Sequence, residues 1–334
     1  MKTTISDVAK HAGVSTATVS HVINNTRFVT EETRKKVLDS IRLLDYTPNE
    51  TARFLRTGKK NQIGFIVPDI SNEFFAAVIE EVERVIAHHS YKLIVANTQE
   101  NEQNEIDRIK DLTSGMVDGL LIASTARSFS TIQQLIPPDF PVVLVDRTFT
   151  DCTYPSIIIS NHRAIYDGIH DMILKGHKKI GYIAGLQHIS TASERFRAYK
   201  EALTDCNIPI DNDLICFGDS LHNSGASFIG TLLKRGCTAI AISNNTMADD
   251  AIYYCYKNGI RIGKDVEILL SSLNDQHYFY LDKIGFIRLP ALDMARSAGE
   301  QILHCIQDPA LPVKEKIFQA TYTAVDNTAY TLAQ

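Results

Sequence analysis

Long hydrophobic runs are missing from this sequence, and so is a secretory signal. No apolar stretch approaches the roughly twenty residues that a membrane-spanning helix needs. The first ten residues, MKTTISDVAK, contain no apolar segment of the kind that a signal peptide carries. We therefore expect a cytoplasmic protein with no membrane partner.

Paired cysteines and common catalytic signatures are also missing. The six cysteines form no Cys-x-x-Cys pair, which argues against a zinc cluster or a disulfide framework. The sequence contains no nucleophile elbow, P-loop, dinucleotide fingerprint or His-Glu-x-x-His motif. His88 and His89 lie at a polar helix end, where such pairs are usually solvated. We expect no enzyme, no cofactor and no metal site; a sugar-processing enzyme with a regulatory module is the alternative.

Positive charge is concentrated at one end of the 334-residue chain, although the whole chain carries a net charge of −5. The first sixty residues hold eleven Lys and Arg against six Asp and Glu, a balance of +5. The remaining residues hold 23 against 33, a balance of −10. This length predicts at least two folded units. A basic module on an acidic body indicates a polyanionic partner for the module alone, unless the clustering is accidental.

The basic end has the pattern of three short helices. Ser6 is expected to cap a first helix that runs to Ala12, and Gly13 is expected to end it. Ser15 is a natural cap for a second helix, which would reach Asn25. A third helix is predicted from near Thr30, ended by the Tyr46-Thr47-Pro48 segment.

The second helix has a side of short and polar residues that would be exposed. These are Thr16, Ala17, Ser20 and His21. Such side chains let a helix enter a DNA major groove, where methyl groups contact thymine and polar atoms bind base edges. Lys10, Asn25 and Arg27 are placed for phosphate contacts. The alternative is a helical hairpin whose polar face meets only water.

The segment from Asn49 to Thr57 resembles a short helix that ends at Gly58. A helix of nine residues is marginal in water, so it should form only when something packs against it. Phe54 and Leu55 could pack on the body instead, which would make this segment a plain linker helix.

The run from Ile5 to Phe75, with its reading helix STATVSHVINNTRFV, resembles the lactose/galactose repressor (LacI/GalR) family of bacterial regulators. The reading helix is most similar to those of the purine and ribose repressors in that family. The resemblance implies a homodimer on a pseudo-palindromic operator, with a hinge helix whose Leu55 wedges into the minor groove beside Arg56. The predicted DNA contacts are Ser6, Thr16, Ala17, Thr18, Ser20, His21, Asn25, Arg27, Tyr46, Asn49, Ala52, Leu55 and Arg56.

Beyond residue 62, short apolar runs alternate with amphipathic stretches, which predicts parallel sheets covered by helices on both faces. The first set of predicted strands is 63–67, 93–96, 119–123 and 142–145, with helices at 73–90, 101–114 and 127–136. The second set is 157–159, 180–184, 239–242, 268–270 and 284–287. Two similar α/β lobes follow from this pattern.

The family resemblance, continuous to the C-terminus, implies the type I periplasmic-binding-protein-like fold. The fold class is thus an N-terminal all-α helix-turn-helix module plus an α/β two-lobed body with two doubly wound parallel sheets. The expected domains are 1–47 for DNA binding, 48–60 for hinge and linker, and 61–334 for effector binding and dimerisation. Lobe one would hold about 61–161 and 291–320, and lobe two about 162–290 and 321–334, with helix 291–307 returning to lobe one.

Ligands of open parallel sheets bind beyond the C-terminal ends of the strands. That rule, together with family matches at Arg195 and Asn244, gives the predicted effector contacts. They are Asn72, Phe74, Phe75, Asp146, Arg147, Arg195, Asn244, Ser272 and Asp275. We expect one of the two phenylalanines to be an ordinary core residue. The chain departs from the family at Asn245, where Asp is usual, and at Ser271-Ser272, where the family has an aromatic residue and Asp.

These patterns predict a transcriptional repressor whose operator affinity is set by a small polar metabolite, sugar-like or nucleobase-like. The ligand would change the angle between the lobes and so the pairing of two hinge segments. The sequence leaves open whether the ligand is inducer or co-repressor, and whether a phosphorylated carrier protein binds. A transport-type binding protein is opposed by the missing signal and the basic module. A dimer is favoured over a tetramer because no leucine heptads follow the predicted strand at 322–325.

Overall fold

The computed structural model describes residues 3–47, 58–221, 224–272, 284–308 and 315–324. The chain divides into two compact units, Met1–Lys60 and Asn61–Gln334. The hinge segment predicted at Asn49–Thr57 lies outside the described residues. Of the helices within those ranges, none is long and apolar enough to cross a membrane.

The N-terminal module consists of three helices around a small apolar core. These are α1 (Ile5–Ala12), α2 (Thr16–Asn24) and α3 (Glu31–Leu43). Its buried residues are Val8, Ala9, Val19, Val22 and Val37. Gly13 ends α1 with φ at 68°, a left-handed conformation that glycine adopts without strain. The predicted helix-turn-helix is therefore present.

Two helix ends in this module differ from the prediction. Ser6 does not cap α1, because Thr4 does: the Asp7 amide donates to Thr4 Oγ1, and the Asp7 carboxylate accepts from the Thr4 amide. Helix α3 ends at Leu43, before the Tyr46-Thr47-Pro48 segment. Asp45 is left-handed, with φ at 47°, so the chain has already turned out of the helix.

The body contains two six-stranded sheets, each of which defines a lobe. The first sheet is formed by β1 (Gln62–Val67), β2 (Lys92–Asn97), β3 (Gly119–Ile122), β4 (Val142–Val145), β5 (Ser156–Ser160) and β11 (Glu315–Gln319). The second sheet is formed by β6 (Ile180–Ala184), β7 (Ile215–Phe217), β8 (Ala239–Ile242), β9 (Glu267–Ser272), β10 (Ile284–Arg288) and β12 (Thr321–Thr323).

The two sheets have the same strand order. It is β2-β1-β3-β4-β5-β11 in the first lobe and β7-β6-β8-β9-β10-β12 in the second. All neighbouring strands are parallel except β12, which runs antiparallel to β10. In each lobe the order reverses beside the first strand, β1 or β6, and such switch points are where open α/β sheets bind ligands.

Helices cover both faces of the sheets. They are α4 (Glu73–Ala87), α5 (Glu102–Thr113), α6 (Phe129–Gln133), α7 (His162–Leu174), α8 (Ser190–Asp205), α9 (Ser224–Lys234), α10 (Asn245–Lys257) and α11 (Ala291–Gln307), with a 3-10 turn at Asn212–Leu214. Helix α11 packs closely on α4, where Gly299 leaves room for Val85. Residues 291–307 therefore pack against a helix that follows β1 of the first sheet.

The structure corrects the strand assignment in three places. Strand β5, which we listed with the second set of strands although the predicted bounds of lobe one include it, pairs with β4 and β11 of the first sheet. Strands β7 and β11 were not predicted. Strand β7 is apolar but only three residues long, and β11 is an edge strand with exposed side chains, so neither gives the signal of a longer buried strand. The chain passes between the sheets after β5, after β10 and at Ala320.

Candidate DNA-reading surface and effector cleft

Helix α2, the reading helix, presents its small residues to the outside of the N-terminal module. Val19 and Val22 face the core, while Thr16 and Ala17 are exposed and Ser20 and His21 are half-buried. Ser15 caps the helix by accepting a hydrogen bond from the Thr18 amide at 3.1 Å. The predicted side of short residues is thus presented on a helix whose start is capped.

Several of these side chains are held by neighbours within the module. His21 Nδ1 lies 2.8 Å from Thr26 Oγ1, and Ser20 Oγ accepts from Asn24 Nδ2 at 3.2 Å. Asn25 ends the helix in a left-handed conformation, and its Oδ1 accepts from Arg34 at 2.8 Å. These bonds restrict the rotamers of the polar groups, which lowers the entropy lost when they bind a partner.

The remaining predicted DNA contacts are placed as follows. Ser6 and Arg27 are exposed, whereas Tyr46 is half-buried and packs against the apolar core of the module. Beside Arg27 lies Phe28, 93% exposed, which the sequence reasoning missed. Asn49, Ala52, Leu55 and Arg56 lie outside the described residues.

In the body, a cleft of about 690 Å³, counting its open mouth, lies between the lobes. Its walls follow the C-terminal ends of the strands in both sheets, including β1 and β6 at the two switch points. The cleft is lined by Asn72, Glu73, Phe74, Phe75, Glu100, Asp146, Arg147, Ile189, Thr191, Ala192, Arg195, Ser220, Ser243, Asn244, Asn245, Ser271 and Leu289.

The first-lobe wall combines two aromatic rings with charged groups. Phe74 and Phe75, at the start of α4, are both buried and pack edge to face, with centroids 5.1 Å apart. We expected one of them to be an ordinary core residue, but both also line the cleft. The Arg147 guanidinium lies 5.7 Å from the centre of the Phe75 ring.

Arg147 forms a buried ion pair with Glu100, which lies three residues beyond the end of β2. Two parallel bonds join them, Nη1 to Oε2 at 2.8 Å and Nη2 to Oε1 at 2.6 Å. Arg147 Nη1 also donates to the Ser124 carbonyl oxygen at 3.1 Å. The Arg147 Nε–H is buried, and no acceptor in the described ranges accepts a hydrogen bond from it.

Asp146 is a buried carboxylate in the cleft wall. Burial raises its pKa above the ordinary value, and the charges of Arg147 and Arg195 oppose that rise. Its Oδ2 lies 4.0 Å from Arg147 Nε, beyond hydrogen-bond distance. The carboxylate is therefore desolvated and has capacity for further hydrogen bonds.

On the second-lobe wall, Arg195 is buried and held by two hydrogen bonds. Its Nε donates to Asn161 Oδ1 at 3.1 Å, and its Nη1 donates to the Ser243 carbonyl oxygen at 2.6 Å. Asn161 follows β5, where the chain first passes between the lobes. Helix α8 begins at Ser190, so Arg195 lies in its second turn. The Arg195 side chain therefore links the cleft to Asn161, where the chain crosses between the lobes.

Asn244 and Asn245 have different roles in the structure. Asn244 caps α10 by accepting from the Met247 amide at 3.0 Å, and its amide donates to the Ser220 carbonyl oxygen at 2.8 Å. The side-chain amides of Asn245 and Asn72, which belongs to the first lobe, form two hydrogen bonds. Asn245 Nδ2 donates to Asn72 Oδ1 at 3.0 Å, and Asn72 Nδ2 donates to Asn245 Oδ1 at 3.1 Å. The Asn72–Asn245 pair thus joins the two lips of the cleft.

Comparison with known proteins agrees with both parts of the molecule. Residues 60–319 match the family model described as periplasmic binding proteins and sugar binding domain of LacI family. Residues 4–49 match the model of bacterial regulatory proteins, lacI family.

The chain belongs to the LacI family.

Curated relatives and solved structures support this membership. The regulator RegA of Clostridium acetobutylicum is 35% identical over 93% of this chain and 95% of its own. Catabolite control protein A of Priestia megaterium is 33% identical over 80% of this chain and 82% of its own. The crystal structure of the lac repressor dimer bound to operator and an anti-inducer superposes with a TM-score of 0.82, at 21% identity over 98% of this chain and 99% of that one. The predicted fold class and family are confirmed.

The family establishes what kind of protein this is. It is a transcriptional regulator with a DNA-binding module and an effector-binding domain, and it is not an enzyme. This LacI-family regulator also has no group of three or more His, Cys, Asp or Glu side chains placed to hold a metal ion in the part of the chain that the structure describes.

Seven of the nine predicted effector contacts line the cleft of this regulator. Asp275 and the side chain of Ser272 lie outside the part of the chain that the structure describes. Ser271 lines the cleft instead, and its buried Oγ makes no hydrogen bond with a described residue. Applying the strand-end rule after β2 would have found Glu100, and counting Asn245 with Asn244 would have found the lip pair. Ser220 follows the unpredicted β7, so the sequence carried no comparable signal for it.

Proposed function

We propose that this regulator reads its operator with the outer face of α2. Thr16, Ala17, Ser20 and His21 would contact base edges because they are short or polar and lie outside the module's core. Ser6, Thr18, Asn25 and Arg27 would contact phosphates or the groove edge. Tyr46 would support this surface from its place against the core. Asn49, Ala52, Leu55 and Arg56 complete the proposal from the sequence alone.

We further propose that the cleft binds a hydroxyl-rich molecule with one apolar face, a sugar or a close relative of one. The observation that carries this proposal is that Phe74 and Phe75 line the same cleft as Asp146 and Arg195. Aromatic rings pack on the apolar face of a sugar ring, while carboxylate and guanidinium groups bind its hydroxyls. The match to the family's sugar-binding domain supports the same class of ligand.

The proposed coupling runs through Arg195. This side chain lines the cleft and also binds Asn161 at the chain crossing, so a bound ligand would bias the relative position of the lobes. In this proposal residues 1–47 bind DNA, 48–60 form the hinge, and 61–334 bind the effector and form the dimer. Ligand that favours paired hinges would act as co-repressor, and ligand that favours the other arrangement would act as inducer.

A thermal-shift screen of the full-length protein tests the effector proposal. The probes are neutral hexoses, pentoses and disaccharides, with nucleosides and free purines as the competing class. A binding sugar should raise the melting temperature in proportion to the logarithm of its concentration, because it binds only the folded state. Stabilisation by purines with no response to any sugar would overturn the sugar assignment.

Gel-shift titration of a palindromic site with and without the screened ligand then tests regulation. A ligand that changes operator affinity but not affinity for random duplex supports the coupling. Equal affinity for operator-like and random duplex, with and without ligand, would contradict the proposed DNA-reading surface.

A further inference from the structure

Glu100 lines the cleft, and its carboxylate is paired with the guanidinium of Arg147, which belongs to the same lobe. Both side chains of the Glu100–Arg147 pair are at least nine-tenths buried, and the two bonds between them have good bidentate geometry. Two of the five N–H donors of the Arg147 guanidinium are used by this carboxylate, and another is used by the Ser124 carbonyl oxygen. The charge of Arg147 is therefore already balanced before any ligand enters.

The other cation that lines the cleft, Arg195, is bound to neutral acceptors, but the nearby negative charges of Asp146 and Glu194 favour its charged form and partly offset it. The ionisable groups that line it among the described residues are three carboxyl groups, Glu73, Glu100 and Asp146, and two guanidinium groups, Arg147 and Arg195. Behind them Glu194 accepts from the Asn161 amide at 3.0 Å and adds negative potential at Arg195. A phosphate or carboxylate would meet this excess of negative charge among buried side chains, where charges are screened less than in bulk water.

We propose that Glu100 is a specificity-determining residue that makes the cleft reject anionic effectors. It acts by occupying the bidentate face of Arg147, which would otherwise bind a phosphate or carboxylate. The ligand class is thereby narrowed to neutral hydroxyl-rich molecules, and phosphorylated or acidic sugars are excluded. This inference rests on the proposed function of the cleft, and it assigns to Glu100 the selection of ligands by their charge.

The test compares full-length wild-type protein with Glu100→Gln. The amide keeps the shape of the side chain and one acceptor for Arg147 but removes the negative charge. Calorimetric titration uses each neutral sugar that stabilises the wild type and its phosphate ester, with inorganic phosphate as a third probe. We expect the affinity for the ester relative to the parent sugar to rise at least tenfold in Glu100→Gln. We also expect inorganic phosphate to raise its melting temperature but not that of the wild type.

Two further variants separate charge from structure. Glu83→Gln makes the same charge change at an exposed position of α4 and should keep the wild-type preference. The double variant Glu100→Gln/Arg147→Gln should lose the increase in relative affinity for the phosphate ester, because it lacks the guanidinium group that would bind the phosphate. If Glu100→Gln is unfolded at assay temperature, Glu100→Asp replaces it. The carboxylate of Glu100→Asp should still exclude the phosphate ester, and binding of the ester by this variant would overturn the proposal.

The outcomes distinguish this inference from the proposed function. A wild type that binds a neutral sugar, with Glu100→Gln changing the ester-to-sugar ratio by less than about twofold, rejects the role of Glu100 and leaves the sugar site in place. No response to any sugar, with inorganic phosphate stabilising Glu100→Gln alone, rejects the sugar site and supports the charge filter. A wild type that prefers the phosphate ester rejects the filter directly.

Discussion

At the scale of single residues, the cleft depends on buried polar groups whose partners are fixed. Arg195 uses two donors to bind Asn161 and Ser243 and remains part of the cleft wall. Lysine cannot replace it, because an ammonium group is a compact charge without the planar fork that makes these bonds together.

We therefore expect Arg195→Lys to lose effector binding at least tenfold while the N-terminal module still binds DNA. Calorimetric titration with the identified effector gives the first quantity, and gel-shift titration without effector gives the second. Arg197→Lys, two positions away on α8 and absent from the cleft lining, is the matched control. Effector affinity preserved in Arg195→Lys would show that Arg195 is structural only.

Asp146 makes effector binding depend on pH. Burial raises its pKa in the free protein, and ligand hydroxyls that donate to the carboxylate favour the ionised form. The bound state then has the lower pKa, so binding releases a proton, and affinity rises with pH until the free protein is fully ionised.

We expect this rise as the pH increases above the ordinary pKa of an aspartate, and its loss in Asp146→Asn. Titration calorimetry in buffers of different ionisation enthalpy counts the protons released. Proton uptake on binding would have the opposite sign and would contradict this account of Asp146.

At the scale of elements, the second lobe depends on close packing of α9 against α10. Gly225 of α9 allows this approach, because a Cβ at that position would overlap the backbone of Met247. Backbone cannot yield as a flexible side chain can, so the helices would have to move apart.

Gly225→Ala should destabilise the body by roughly 1–3 kcal/mol, the usual range for overpacking a core. Urea unfolding followed by circular dichroism measures this loss. Ser227→Ala, at an exposed position of the same helix, should change the free energy of unfolding by less than about 0.5 kcal/mol. Equal free energies of unfolding of the two variants would show that the packing of α9 against α10 accommodates a methyl group at position 225.

At the scale of the whole body, the lobes are joined across the cleft by a few polar contacts. The Asn72–Asn245 pair spans the lips, and the Thr148 amide donates to Ser190 Oγ at 3.1 Å. Few such bonds hold the closed arrangement, so small changes at the lips should shift the balance between closed and open lobes.

Asn245→Ala removes both Asn72–Asn245 hydrogen bonds, leaves the 3.2 Å hydrogen bond from Asn72 Nδ2 to Thr246 Oγ1, and should favour the open arrangement. We expect a larger radius of gyration in small-angle scattering without ligand, restored by saturating effector, and effector affinity reduced several-fold. Asn258→Ala, at the exposed far end of α10, makes the same chemical change away from the cleft. An unchanged radius of gyration in Asn245→Ala would show that the pair does not hold the lobes together.

Local sequence determined much of this molecule. Strands β4, β6 and β8 have the predicted bounds, because their apolar runs are buried on both faces and end sharply. Ser15 and Gly13 set the turn before the reading helix for equally local reasons, a side-chain cap and a left-handed conformation. The strand-end rule located most of the cleft because it needs only the strand positions.

Tertiary structure decided what depends on partners far apart in the chain. The sheet to which β5 belongs, the edge position of β11, and the pairing of Glu100 with Arg147 all follow from strand order. Strand order has no local signature, since a strand carries the same apolar pattern whichever neighbour it pairs with. The charge balance of the cleft, and with it the class of ligand that we propose, therefore emerges only when the two sheets bring their C-terminal ends together.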